Sequence, residues 1–344
     1  MESSELWLKA FHDGAAIPAH PLALTSERKL DERSQRAISR YYAAAGAGGV
    51  AVGVHTTQFE IREPAIGLYE PVLALAADTL AGKNMIMVAG VCGKTGQAVK
   101  EAATARGLGY HVALLSLASY RNASAEETLA HVRAVGEVMP ILGFYLQPAV
   151  GGRLYGFDFW RRFAEIESVI GIKIAPFNRY ATQDVLRGVI ESGRSEAITL
   201  YTGNDDHIVL DLLSPFRYAG KSLHIRGGLL GHWAVWTSEA VRMHRDLKSV
   251  TARGASIDSE WLVRSGEVTD MNAAVFDVAN GFNGCIAGIN EVLRRQGLML
   301  GNWCLNPNEG LSPGQSVELN RVTAQYPQLV DDQFIQRHLH EWLS

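Results

Sequence analysis

From residue 15 to about 247 the chain alternates short runs of consecutive apolar residues with longer stretches of helical period. Candidate strands are Ala16–Leu24, Gly49–Val54, Met85–Val91, Tyr110–Leu117, Ile141–Pro148, Val169–Pro176, Ala197–Gly203 and Lys221–Gly227, most of them apolar runs. Runs of this length without polar alternation suit strands buried on both faces, as in parallel sheets. Between them lie amphipathic patterns at Asp31–Ala45, Pro64–Leu80, Gln97–Arg106, Ala125–Val138, Asp158–Glu167, Gln183–Glu191 and His207–Leu213. Ser124 and Thr182 stand where two of these helices would be capped. The alternation predicts an α/β fold, a (β/α)8 TIM barrel, since parallel neighbours require right-handed helical crossovers. An open doubly wound sheet is the alternative, but no GxGxxG follows the first strand to give it a dinucleotide site.

Beyond about residue 250 the strand signals stop. Trp261–Gly281, Asn283–Gln296, Ser316–Tyr326 and Asp331–Leu343 are helical in pattern, interrupted by the breaker Asn306-Pro307-Asn308-Glu309-Gly310. Regular apolar spacing argues for a packed appendage and against disorder. The expected organisation is a barrel over 1–247 and a C-terminal helical extension over 248–344.

Composition narrows the functional classes. A hydrophobic fraction of 47% supports a large core, and a net charge of −4 leaves no basic footprint for nucleic acid or membrane surfaces. No apolar run has the length of a membrane span, and the N-terminus lacks a secretory signal pattern, so the expectation is a cytoplasmic protein. Cys92, Cys285 and Cys304 are too scattered for a disulfide framework or a zinc set.

The most informative residue is Lys173, a lone cation within Val169-Ile170-Gly171-Ile172-Lys173-Ile174-Ala175. Alternation sets Gly171, Lys173 and Ala175 on one face, which leaves room for a long side chain. Burial favours the neutral amine, the form that attacks carbonyls to make Schiff bases. A structural lysine paired with a carboxylate fits the same strand. In the preceding strand, Gly143, Tyr145 and Gln147 share a similarly small-lined face, and Tyr145 is expected to point the same way as Lys173. There it is either a proton shuttle or a core tyrosine with a bonded hydroxyl. Thr56 and Thr57, just past the second strand, can either hold a small carboxylate or satisfy their own turn.

Taken in order, these segments resemble the dihydrodipicolinate synthase/N-acetylneuraminate lyase superfamily of class I, Schiff-base aldolases. The residues that carry the resemblance are Gly-Val-His-Thr56-Thr57, Tyr145-Leu-Gln-Pro148, Gly171-Ile-Lys173 and Gly203-Asn-Asp205-Asp206, with Val88–Ala105 similar to the family's third strand and the helix opened by Thr95. The resemblance implies that Lys173 forms an imine with a 2-oxo acid such as pyruvate, that Tyr145 is the acid/base, that Thr56 links it into a relay, and that Thr57 binds the carboxylate. Tyr120 is the nearest candidate for the family's further relay tyrosine, with Ser119 one residue away. No cofactor and no metal are implied, and the family's usual assembly is a homo-oligomer, a tetramer or dimer.

Departures bear on the second substrate. Val150 stands where dihydrodipicolinate synthases carry a carboxylate-binding arginine, and Arg153 lies beyond two glycines. This argues against that activity and for an aldehyde or sugar-acid partner. Gln58, His55, Arg226 and its neighbour Ile225 are expected to face that partner, on the premise that Ser222, His224 and Arg226 alternate along the eighth strand. A dehydratase of a 2-oxo-3-deoxy sugar acid and a non-catalytic barrel that binds a 2-oxo acid are the alternatives. Gly93-Lys94-Thr95 is not a phosphate loop, because Val88 stands where its first glycine is required. The loop histidines and aspartates (His55, Asp205, Asp206, His207, His224, His232) lack compact metal-ligand spacing.

Overall fold

The computed structural model describes residues 3–254 and 256–344. Its strands are β1 (Ala16–Pro18), β2 (Gly49–Val52), β3 (Ile86–Val91), β4 (Val112–Ser116), β5 (Ile141–Leu146), β6 (Val169–Ala175), β7 (Thr199–Thr202), the short pair β8 (Phe216–Tyr218) and β9 (Lys221–Leu223), and β10 (Ile225–Leu230). Eight of them form one sheet in the order β1-β10-β7-β6-β5-β4-β3-β2. The two strands that end this order, β1 and β2, meet through a parallel bridge at Ala19–Ala51. The fold is a (β/α)8 barrel with a C-terminal helical part.

The helices are α1 (Ser3–Asp13), α2 (Glu32–Ala44), α3 (Tyr69–Thr79), α4 (Thr95–Gly107), α5 (Ala125–Gly136), α6 (Phe157–Ala164), α7 (Arg179–Glu191), α8 (Ile208–Leu213), α9 (Thr237–Arg253), α10 (Glu260–Val275), α11 (Cys285–Arg295), α12 (Gln315–Gln325) and α13 (Asp332–Trp342). Ser124 caps α5 through a reciprocal pair with Glu127, as its sequence signature predicts. For α7 the cap is Asn178, whose side chain accepts from the Ala181 amide. The helix therefore begins a turn before the position that Thr182 suggested.

The last barrel strand also differs from expectation. Ala219 (φ 48°) and Gly220 (φ 75°) make a left-handed two-residue turn, so Lys221–Leu223 folds back antiparallel on Phe216–Tyr218. The barrel strand starts only at Ile225. Ser222, His224 and Arg226 thus do not alternate along one strand.

The chain divides into two compact units, residues 1–15 with 86–229 and residues 16–85 with 230–344. In the first, α1 covers the N-terminal ends of the strands. Trp7 stacks on His111 (4.9 Å), His12 Nδ1 lies 2.6 Å from Thr199 Oγ1, and the Tyr201 hydroxyl donates to the Phe11 carbonyl (2.8 Å). Phe11 is fully buried, and a Cβ at Gly171 would fall 2.8 Å from its ring, so that glycine is required beneath the plug. In the second unit the Tyr41 hydroxyl donates to Asp331 (2.7 Å), and the Tyr41 ring packs on Trp342, which ties α2 to the C-terminal helix.

Phe11→Ala should open a cavity under the barrel and cost about 3–5 kcal/mol. Urea unfolding at neutral pH would measure it, and a loss below about 1 kcal/mol would contradict the plug role.

Candidate active site

Strand register decides which side chains share the barrel interior. In the β5–β6 pair, Leu142 is opposite Gly171, Phe144 opposite Lys173, and Tyr145 opposite Ile174. Residues opposite one another in a parallel pair point to the same side of the sheet. The helix-facing side is marked by Gly143, where a Cβ would fall 2.5 Å from Phe163 of α6, and by Thr202, whose hydroxyl donates to Asp211 of α8 (2.7 Å). Lys173 therefore lies inside with Leu142, Phe144 and Gly171, and Tyr145 lies outside.

Lys173 is 9% exposed. Its Nζ stands 4.3 Å from the centroid of Phe144, a cation–π contact that offsets part of the desolvation cost. Burial draws its amine down to about 8, while the carboxylate of Asp205 pulls the other way. Gly203 makes room for the lysine stem, since a Cβ there would fall 2.5 Å from Lys173 Cε. Asp205, two residues further, is 6% exposed.

The loop that presents Asp205 is fixed at both ends. The Gly203 amide donates to Ile174 O (2.7 Å), and the Phe177 amide donates to Asn204 Oδ1 (3.0 Å). Asn204 Nδ2 and the Thr202 hydroxyl both donate to Asp211 Oδ2 (3.0 and 2.7 Å), and Arg179 pairs with the other oxygen of that carboxylate. A buried carboxylate with three such partners is a stable anchor.

The expected proton relay is not assembled here. Tyr145 Oη donates to Tyr155 O (3.1 Å) and accepts from the Tyr155 amide (3.2 Å), with its ring 4.6 Å from Trp160 of α6. Burial raises its phenol above the usual range. Tyr145 is a clasp between β5 and the segment leading to α6, which corrects the expectation that it faces the lysine. The cause is α6, whose aromatic face (Phe159, Trp160, Phe163) needs the recess that Gly143 leaves. Tyr120 is likewise committed to another partner. Its hydroxyl is 2.7 Å from Thr95 Oγ1, its ring stacks on His131 (4.3 Å), and Lys94 caps the other face (4.5 Å). The carbonyl of neighbouring Ser119 accepts from Lys94 (2.7 Å).

Arg226 and Ile225 sit at the N-terminal end of β10. Arg226 is exposed, and its backbone would meet a Cβ on Gly14, beside the helix that covers that end. A barrel's catalytic groups gather at the opposite, C-terminal end, so the structure removes this pair from the expected substrate contacts. Arg153 donates to Ala123 O (2.6 Å) and lies 5.0 Å over the Tyr155 ring.

In the second unit, the loop after β2 satisfies itself. Thr57 Oγ1 donates to His20 O (2.7 Å) and accepts from the Gly53 and Val54 amides (3.0 and 3.2 Å); Thr56 Oγ1 also donates to His20 O (3.1 Å). Gln58, at φ 68° and 1% exposed, accepts from the Leu305 amide (2.6 Å), so it fastens the C-terminal segment. All three side chains are buried. Among the described residues none of the three cysteines is in a disulfide, and no cluster of three metal-ligating side chains occurs.

The comparisons with known proteins agree with this fold. The model of the dihydrodipicolinate synthetase family matches residues 15–215. The chain belongs to that family. Aldolases and lyases are the general class of activity that membership supports. No curated protein matches the sequence. Among solved structures, the chain is similar to a dihydrodipicolinate synthase from Oceanobacillus iheyensis (17% identity, 95% of this chain and 100% of that one, TM-score 0.73). It is similar to an N-acetylneuraminate lyase from Fusobacterium nucleatum (16%, 93% and 100%, TM-score 0.71) and to YagE of Escherichia coli K12, solved with pyruvate (15%, 92% and 98%, TM-score 0.73). At these identities the structural likeness speaks for the fold alone.

For this family member, two residues that act on the lysine had no expected role. Phe144 adjoins the expected tyrosine, and Asp205 lay unassigned within the Gly203-Asn-Asp205-Asp206 segment. The usable signal was the aromatic spacing of Phe157-Asp158-Phe159-Trp160-Arg161-Arg162-Phe163, which demands a small residue on the outer face of its strand.

Tyr145→Phe should lower stability by about 1–2 kcal/mol, by leaving a backbone amide unpaired. It should change turnover less than threefold, roughly the limit for a residue outside the chemistry. A hundredfold loss with unchanged stability, read by melting curves beside initial rates, would restore Tyr145 to the mechanism.

Proposed function

We propose that this protein is a class I aldolase or lyase that forms a Schiff base between Lys173 and a 2-oxo acid of the pyruvate type, and uses it to make or break a C–C bond. The observation that carries this reading is a buried lysine on the inner face of β6, with its amine lowered to about 8. Attack on a carbonyl needs the neutral amine, and an amine at its ordinary value of 10.5 would be almost wholly protonated at neutral pH. The protonated imine then withdraws electrons from the adjacent carbon, which is the polarisation a C–C bond needs to break or form. Gly203 supports the reading because it leaves room for the lysine stem, where a Cβ would fall 2.5 Å from Lys173 Cε.

The second substrate is an aldehyde or a sugar acid. Arg153, the arginine nearest to the position used by dihydrodipicolinate synthases, is committed to Ala123 and Tyr155. One observation favours a second reading, a barrel that binds a 2-oxo acid without turning it over: the hydroxyls of Tyr145 and Tyr120 are bonded elsewhere.

Incubation with pyruvate and borohydride should yield a covalent adduct that peptide mass analysis places on Lys173 and that Lys173→Ala lacks. Absence of any adduct between neutral and mildly alkaline pH would end the Schiff-base reading. The initial trapping rate should rise with pH up to about 8 and level off above it, because the reactive species is the deprotonated amine. A rate still climbing steeply towards 10.5 would mean the amine is not shifted. Adduct formation with no turnover of any aldehyde or sugar acid would select the binding-only reading.

A further inference from the structure

We infer that Asp205 is the proton-transfer residue of this barrel, taking the role for which Tyr145 and Tyr120 are out of position. The inference rests on the Schiff-base reading above and adds to it the group that moves the proton. Three tyrosine hydroxyls of this unit are committed: Tyr145 to Tyr155, Tyr120 to Thr95, and Tyr201 to the Phe11 carbonyl at the covered end. Phe144, opposite Lys173 in register, has no proton to give.

Asp205 follows the glycine that adjoins the lysine stem, is buried, and acts electrostatically on Lys173. Its loop is tied to β6 through Gly203, to Phe177 just beyond β6 through Asn204, and to α8 through Asp211. The carboxylate is thus held by fixed backbone, as proton transfer to a defined atom requires.

The step balances without a co-reactant. In the iminium formed from Lys173 and pyruvate, the Asp205 carboxylate takes a proton from C3. The C–H electron pair becomes the C=C bond of the enamine, and the C=N π pair returns to nitrogen. In condensation the enamine carbon bonds to an aldehyde carbon, and the proton held by Asp205 passes to the aldehyde oxygen. Cleavage runs the same transfers backwards. The substrate class is a 2-oxo acid with at least one hydrogen on C3.

Exchange of the pyruvate methyl hydrogens for deuterium in D2O, followed by NMR, isolates this step from any second substrate. Wild-type protein should exchange them and should give the trapped Lys173 adduct. Asp205→Asn should retain the adduct and lose exchange by about a hundredfold or more. Asp205→Ala should behave alike and regain exchange on addition of formate, which a merely structural role would not produce. Asp206→Asn, altering the exposed neighbour, should leave exchange unchanged. Exchange in folded Asp205→Asn or Asp205→Ala within about threefold of wild type would overturn the assignment, as would a wild-type adduct without exchange. Failure of wild type to form any adduct would instead remove the imine, and Asp205's role with it.

Discussion

Everything about the candidate site follows from the register of two adjacent parallel strands. Because Phe144 lies opposite Lys173, the barrel interior receives a phenyl ring beside the amine, and the tyrosine one residue on is turned towards α6. A shift of one residue would exchange these faces. The register is held by size on both sides of the sheet. Phe163 fills the recess over Gly143 outside, and Phe11 fills the space under Gly171 inside. Neither glycine tolerates a Cβ, so the strands have one way to pack.

Within that frame, the lysine's chemistry is a matter of solvation. A buried ammonium loses hydration, and the amine responds by giving up its proton more readily. The aromatic face of Phe144 and the charge of Asp205 limit the penalty, which leaves the amine near 8 and not far lower. In the proposal above, the same carboxylate receives the substrate proton. A tyrosine relay and a carboxylate differ in what they demand of the scaffold: the phenols here serve as clasps, while the loop after β7 is braced by a buried anion, Asp211.

Family motifs transferred unevenly, and the reason is geometric. Lys173 kept its expected face because its strand carries bulky isoleucines on the other. Tyr145 kept the motif spacing but lost the orientation, since spacing along a chain says nothing about the side of the sheet. Thr56 and Thr57 follow the second strand as expected, yet their hydroxyls close the loop on the His20 carbonyl. Arg226 is displaced by a turn: the hairpin at Ala219-Gly220 takes Lys221–Leu223 out of the expected Lys221–Gly227 strand, and the barrel strand begins at Ile225.

The sequence by itself determined the alternation of strands and helices, the number of barrel strands, most helix starts, and the presence of a lone cation in a buried strand. These depend on local period, capping and composition, which are properties of neighbouring residues. Only the tertiary structure decided which face of β5 looks inward, where the last barrel strand starts, and which carboxylate acts electrostatically on Lys173. Strands apolar on both faces carry no inside-outside signal of their own. That choice is made by the volumes of α6 and α1 pressing on Gly143 and Gly171, contacts between residues far apart in the chain.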